Sequence, residues 1–194
     1  MPVSSLPSRT GVGEMGAEAY HFLTLLKESG IRIWQILPMN PVGYGNSPYQ
    51  PYSSCAGDEL YISLDTLYEE GLLKERPEGF HEYATKVDYD AVRLHKEPYL
   101  REAFQTFLTS GGCETKDYQE FADQSWVYEY GAFRALKKAN GGCCWNEWKQ
   151  EDKMWPDART DLAPELETEV QYHMFLQYVF FSSVDETERK GQCV

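Results

Sequence analysis

Apolar residues follow two different patterns near the start of the chain. A stripe at i, i+3, i+4 and i+7 predicts one apolar helix face, formed by Ala19, Phe22, Leu23 and Leu26. The run 31–37 follows Gly30, is closed by Pro38 and contains β-branched and aromatic residues. Such a run is typical of a strand buried on both faces. The order helix, glycine, strand therefore predicts half of a βαβ unit.

Most of the remaining chain has helical patterns. Pro98 suits the first turn of a helix, whose predicted stripe is Leu100, Phe104, Phe107 and Leu108. A second helix is predicted over 118–139, and a third from about Glu165. The buried face predicted for the third helix consists of Tyr172, Phe175, Leu176 and Val179.

The segment 38–57 differs in composition from its surroundings. It is made of turn-forming residues and tyrosines, and loops of this length without secondary structure are usually functional or disordered. Tyrosine rings beside Asn, Ser and Gln suit sugar binding, because a pyranose has an apolar face for stacking and hydroxyls that need polar partners. The alternative is that the tyrosines pack inward as part of the core.

The overall charge narrows the possible partners. The 194 residues include 31 acidic and 18 basic side chains, which gives a net charge of −13. Nucleic-acid binding depends on cations that neutralise phosphates, so no nucleic-acid partner is expected. No apolar run is long enough to span a membrane, and the first residues lack a secretory pattern. The five cysteines are interpreted as free thiols in a cytoplasmic protein.

Two further patterns are weak candidates for chemistry. The G-x-G-x-x-G string at 11–16 lacks a preceding strand and a following acidic residue, so it is interpreted as a turn into a helix rather than a nucleotide site. Glu169 and His173 have the i, i+4 spacing of helical metal ligands, but with no third ligand they are interpreted as a surface pair. No metal and no other cofactor is expected.

Several strings resemble one enzyme family. They are V-S-S-L-P-S at 3–8, I-W-Q-I-L-P at 33–38, G-Y-G-N-S-P-Y-Q at 43–50, I-S-L-D at 62–65 and Y-H-M-F-L-Q-Y at 172–178. Together they resemble the 4-alpha-glucanotransferases, or amylomaltases, of glycoside hydrolase family 77. The resemblance implies a cytoplasmic enzyme that transfers α-1,4-glucan segments between maltooligosaccharides by a retaining, two-step reaction. It also implies that Ser47 and Tyr49 contact the donor sugar and that Tyr44 serves a second glucan site.

The fold implied by the resemblance is α/β, namely an incomplete N-terminal part of a (β/α)₈ TIM barrel with an inserted helical subdomain. The first βα units would occupy 1–72 and include the sugar-binding loop 38–57. The inserted helices would occupy 73–164, and 165–183 would be a helix of the catalytic domain. Residues 184–194 are expected to be an out-of-frame tail. A one-base shift near Ser183 can encode Q-W-M-K-L-K-G-K-A-N, which has the Gln-Trp, the lysines and the Ala-Asn that the resemblance implies. The alternative is a divergent tail.

The chain also departs from the family pattern. The family's nucleophilic Asp lies in an Arg-x-Asp-His motif followed later by an acid/base Glu, and neither occurs in this sequence. No catalytic residue is therefore assigned, and the chain alone is expected to be inactive. The alternatives are a non-catalytic glucan-binding protein and a helical interaction protein. The sequence does not indicate the oligomeric state of the chain.

Overall fold

The computed structural model describes residues 1–80, 86–155 and 162–193, apart from the side chains of Tyr44 and residues 190–193. Its α-helices are Ala17–Glu28 (α1), Leu64–Glu69 (α2), Tyr89–Thr109 (α3), Lys116–Ala122 (α4), Ser125–Ala139 (α5), Gln150–Lys153 (α6) and Pro164–Cys193 (α7). Short 3₁₀ turns lie at Val3–Ser5, Tyr44–Asn46, Glu59–Tyr61, Gly112–Glu114 and Trp145–Glu147. None of the described helices is both long and apolar enough to cross a membrane.

The buried strand predicted at 31–37 is not present. This segment has no regular secondary structure, and Ile33 is 81% exposed. Two of its residues are anchored. The Ile31 amide donates to the Leu26 carbonyl at 2.8 Å, and Trp34 makes an edge contact with the Phe22 ring at 5.0 Å and a hydrogen bond from Nε1 to the Met1 carbonyl at 2.7 Å. A strand needs neighbours for both its hydrogen bonds and its burial, and no strand occurs among the described residues.

The first predicted helix is confirmed as α1. Gly16 is its N-cap, and Gly30, with a φ of 74°, follows the C-cap residue Ser29. Of its predicted face, Ala19 is buried and packs with Val3, Leu6 and Met15, whereas the other three residues are half-buried: Phe22, Leu23 and Leu26. The apolar periodicity thus places α1 against the N-terminal segment.

Helix α3 begins nine residues before Pro98, so the prediction that this proline lies in a first turn is wrong. A proline inside a helix leaves the carbonyl four residues earlier without its helical donor. That residue is Leu94, which is 76% exposed, so water can satisfy its carbonyl. Three residues of the predicted stripe, Leu100, Phe104 and Phe107, are buried, and the fourth, Leu108, is half-buried.

The helix predicted over 118–139 is divided in two, because α4 ends at Ala122 and α5 begins at Ser125. Gln124 between them has an extended backbone, with φ −68° and ψ 124°. Helix α7 begins at Pro164, and the four residues predicted for its buried face are all buried. It also continues without a break through the predicted tail, to Cys193.

The chain divides into two compact units, Met1–Gly112 with Val179–Val194, and Cys113–Tyr178. The second unit has its own core, formed by Val127, Ala132, Ala135, Val170 and Met174. There, the Gly131 Cα lies so close to α7 that an added Cβ would stand 2.9 Å from the Val170 carbonyl oxygen. The domain limits expected from the family resemblance stay a prediction.

Candidate functional site

The sugar-binding loop predicted at 38–57 folds back on itself as a short two-armed structure. Val42 and Pro51 form an isolated antiparallel bridge. Next to it, the Tyr52 amide donates to the Pro41 carbonyl at 2.8 Å. These contacts hold the two arms side by side, so the loop has a defined conformation rather than an open one.

The tip of this loop is a tight 3₁₀ turn, Tyr44–Asn46. Gly45 and Asn46 have φ angles of 78° and 51°, a region that glycine adopts freely and asparagine tolerates better than most residues. The Asn46 amide donates to the Gly43 carbonyl at 3.2 Å. The backbone of Tyr44 begins this turn, while its side chain lies outside the described residues.

The other two predicted sugar contacts follow immediately. The Ser47 hydroxyl accepts a hydrogen bond from the Tyr49 amide at 3.4 Å, and the Ser47 carbonyl accepts one from the Gln50 amide at 3.1 Å. The Tyr49 side chain does not pack inward, because the residue is 72% exposed. The structure therefore brings Ser47 and Tyr49 together in one turn with the tyrosine open to solvent.

The two ends of the loop are fastened together at its base, which we call the neck and define as Met39, Asn40, Ala56 and Asp58. Asn40 Nδ2 donates to the carbonyl oxygens of Ala56 at 2.8 Å and Ser54 at 3.2 Å. The Asp58 amide donates to the Met39 carbonyl at 2.8 Å. A single amide side chain and one backbone pair thus close the neck.

The carboxylate of Asp58 connects the neck to α3. Asp58 is 1% exposed, and both of its oxygens accept from Arg93, Nη1 to Oδ1 and Nη2 to Oδ2, each at 2.8 Å. Oδ1 also accepts from the Leu60 amide at 3.0 Å. Burial, and then the charge of Asp58, raises the pKa of the neighbouring Tyr61 hydroxyl to about 12. Asp58 is therefore a buried anion held in a two-pronged ion pair.

A second buried ion pair, which was not predicted from the sequence, lies in the same unit. Lys96 is 1% exposed, and its ammonium donates to Glu14 Oε1 at 2.7 Å and to the carbonyls of Leu60 and Ile62 at 2.7 and 2.6 Å. Thr10 donates to the same Glu14 oxygen. The available signal was the position of Lys96 on the apolar stripe of α3, four residues after the buried Val92 and four before Leu100.

The interpretation of the G-x-G-x-x-G string as a turn agrees with its geometry. Gly11 has a φ of 91°, and a Cβ on Gly13 would stand 2.0 Å from the Val3 carbonyl oxygen. Glycine is required at both positions for conformation and close packing. Gly16 then caps α1.

The interpretation of Glu169 and His173 as a surface pair is wrong for the histidine. His173 is only 6% exposed, with its ring 5.3 Å from that of Tyr172, and Glu169 pairs with Lys138 at 3.0 Å. Across the residues that the structure describes, no group of three His, Cys, Asp or Glu side chains is placed to hold a metal ion.

Comparison with known proteins gives a consistent result. The family model for 4-alpha-glucanotransferases, glycoside hydrolase family 77, matches residues 1–192. A 4-alpha-glucanotransferase of Thermus thermophilus is 40% identical over 186 residues, covering 92% of this chain and 36% of the relative. One from Synechocystis is 39% identical, covering 95% and 38%. The chain thus spans little more than a third of the length of these curated relatives.

Solved structures agree with the sequence relatives. An amylomaltase from Streptococcus agalactiae in complex with acarbose superposes with a TM-score of 0.86 at 28% identity, over 99% of this chain and 40% of that one. An amylomaltase from Corynebacterium glutamicum shares the fold at a TM-score of 0.69. Because the family model matches nearly its whole length, the chain belongs to the 4-alpha-glucanotransferase family.

Proposed function

We propose that this chain is the N-terminal part of a cytoplasmic 4-alpha-glucanotransferase and supplies glucan contacts to it. The observation that carries the proposal is the family match over residues 1–192. The full-length reaction would transfer an α-1,4-glucan segment between maltooligosaccharides through a covalent glycosyl-enzyme intermediate, with one carboxylate as nucleophile and another as acid/base.

Within that enzyme, residues 1–72 would form the first units of a (β/α)₈ barrel, with inserted helices over 73–164. The segment 31–37 would become a barrel strand when neighbouring strands pair with it. Its exposed Ile33 and Leu37 fit this role, because barrel strands are covered on both faces. The catalytic carboxylates would come from the part of the relatives that this chain does not span, so the chain alone would be inactive.

The loop 38–57 is the proposed sugar site of the chain. The exposed Tyr49 ring would stack on the apolar face of a pyranose, while the Ser47 hydroxyl would bond a sugar hydroxyl. Tyr44 is proposed to serve a second glucan contact at the tip of the same loop. The S. agalactiae neighbour was solved with acarbose, which makes acarbose a suitable probe.

The test uses the purified 194-residue chain and calorimetric titration with acarbose. We expect Tyr49→Ala to weaken binding roughly three- to ten-fold, the loss expected for one aromatic stacking contact. Tyr68→Ala is the matched control, because Tyr68 is an exposed tyrosine on α2 outside the loop. Equal affinity of the Tyr49→Ala and unchanged chains would contradict the site.

The second measurement is glucose release from maltotriose. We expect none from the chain alone, and glucose release would contradict the proposed division of function. Acarbose binding without glucose release would fit both a part of the enzyme and a non-catalytic glucan-binding protein. The prediction that 184–194 is an out-of-frame tail is tested separately by sequencing the gene beyond the codon of Ser183. A shifted reading frame should continue the family pattern, and the absence of such a continuation would contradict the prediction.

A further inference from the structure

The neck of the loop 38–57 is held by a charge from outside the loop. The backbone amide of Asp58 closes the neck by donating to the Met39 carbonyl. The Asp58 carboxylate accepts two hydrogen bonds from Arg93 of α3. Two parallel N–H···O bonds to one carboxylate fix both its position and its plane. The orientation of Asp58 is thereby set by a residue 35 positions later in the chain.

The Asp58 carboxylate also contacts the first arm of the loop, at Val42. Its Oδ2 atom lies 3.5 Å from the amide of Val42, the residue that forms the bridge to Pro51. On the other side of the neck, Ala56 is 1% exposed, and a Cβ on Gly57 would meet the Phe180 ring at 2.1 Å. The carboxylate therefore contacts the start of the loop, while the end of the loop is fixed by close packing.

We infer that the Asp58–Arg93 pair is a positioning device that sets the conformation of the loop 38–57 and, through it, the affinity for glucan. The inference on affinity rests on the proposed function of the loop, whereas the inference on conformation does not. Neither side chain touches sugar in this scheme. Arg93 orients Asp58, Asp58 closes the neck, and the closed neck presents Ser47 and Tyr49.

The first test is amide hydrogen exchange of the unliganded chain, read at Tyr52 and Asp58. Both amides donate hydrogen bonds in or next to the neck, to Pro41 and Met39 respectively. We expect Arg93→Met to accelerate their exchange at least ten-fold, because the neck opens locally. Arg93→Lys should recover part of the protection, since a lysine restores the charge without the two-pronged geometry.

Two controls separate positioning from a general loss of stability. Arg101→Met removes an arginine of the same helix that pairs with Glu97 at 2.8 Å, away from the neck. Leu100→Ala opens a cavity at a residue that is 2% exposed, and so weakens the whole fold. Exchange at Tyr52 and Asp58 should stay within two-fold of the unchanged chain in both controls, because local opening does not require global unfolding.

The second test repeats the acarbose titration with the same variants. We expect Arg93→Met to weaken binding at least ten-fold while Arg101→Met leaves it unchanged. Unchanged exchange in Arg93→Met, or equal acceleration in Leu100→Ala, would overturn the positioning role. If the unchanged chain does not bind acarbose, the proposed glucan site fails, and the exchange experiment alone then decides whether the pair positions the loop.

Discussion

Lys96→Met removes the cation from the most completely buried ion pair of the described residues. The methionine fits the space of the lysine stem and removes only the ammonium group. Its loss leaves the Glu14 carboxylate, 10% exposed, with Thr10 as its remaining bonded partner among those described. It also leaves the Leu60 and Ile62 carbonyls without the lysine donor.

The expected cost follows from these lost partners. Removing one member of a buried pair costs about 3–5 kcal/mol, because the other charge stays buried without compensation. Each buried carbonyl that loses its donor adds about 1–3 kcal/mol. The lower limits together give roughly 5 kcal/mol, a large part of the ~5–15 kcal/mol that stabilises a typical protein. For a chain of this length the melting temperature should fall by roughly 10–20 °C.

The assay is urea denaturation followed by circular dichroism at neutral pH. The matched control is Lys116→Met, which breaks a pair with Glu120 whose lysine is 84% exposed and should cost less than about 0.5 kcal/mol. Combining Lys96→Met with Glu14→Gln removes the stranded charge and should recover about 2 kcal/mol. A loss of stability in Lys96→Met no larger than in the control, or a double variant no more stable than Lys96→Met, would contradict the buried ion pair as the source of the effect.

Three further outcomes are expected. Ile33→Lys should leave stability within about 0.5 kcal/mol, because the residue is 81% exposed, but should reduce concentration-dependent self-association in analytical ultracentrifugation, since unpaired apolar segments attract other chains. A monomeric unchanged chain would contradict this. Phe104→Ala should cost about 3–5 kcal/mol in urea denaturation, because the residue is 1% exposed and its removal leaves a cavity; a loss below 1 kcal/mol would show that the site collapses. Partial burial, followed by the charges of Glu186 and Glu69, raises the pKa of Glu70 above 4.5. The folded chain therefore binds more protons than the unfolded chain, and its stability falls as pH rises past that value. Glu70→Gln should therefore stabilise the chain at pH 7, with a difference that shrinks towards pH 4 in thermal melts; equal effects at both pH values would contradict the shift.

The helices could be predicted from local sequence because their determinants are local. The apolar stripes of α3 and α7 identify their buried faces, and Gly30 marks the end of α1. The errors arose where local signals compete. Pro98 resembles a helix start, but α3 continues through it, with buried residues before it at Val92 and after it at Leu100.

The candidate site was only partly predictable, for a similar reason. The composition of 38–57 identified a loop rich in tyrosines and polar residues. In the structure, Tyr49 of this loop is exposed. The residues that hold it are distant in sequence. Arg93 gives no local sign that it will meet Asp58, and the burial of Lys96 depends on carbonyls that lie 34 and 36 positions away.

The sequence by itself determined the family, through strings such as I-W-Q-I-L-P and Y-G-N-S-P-Y, and the positions of the main helices. Only the tertiary structure decided which charges are buried and what becomes of the apolar run 31–37. Helical periodicity is a property of neighbouring residues, so it can be read along the chain. Burial of an ion pair and pairing of a strand depend on distant segments. Thus Lys96 forms a buried ion pair with Glu14, and Ile33 is exposed because no described strand pairs with it.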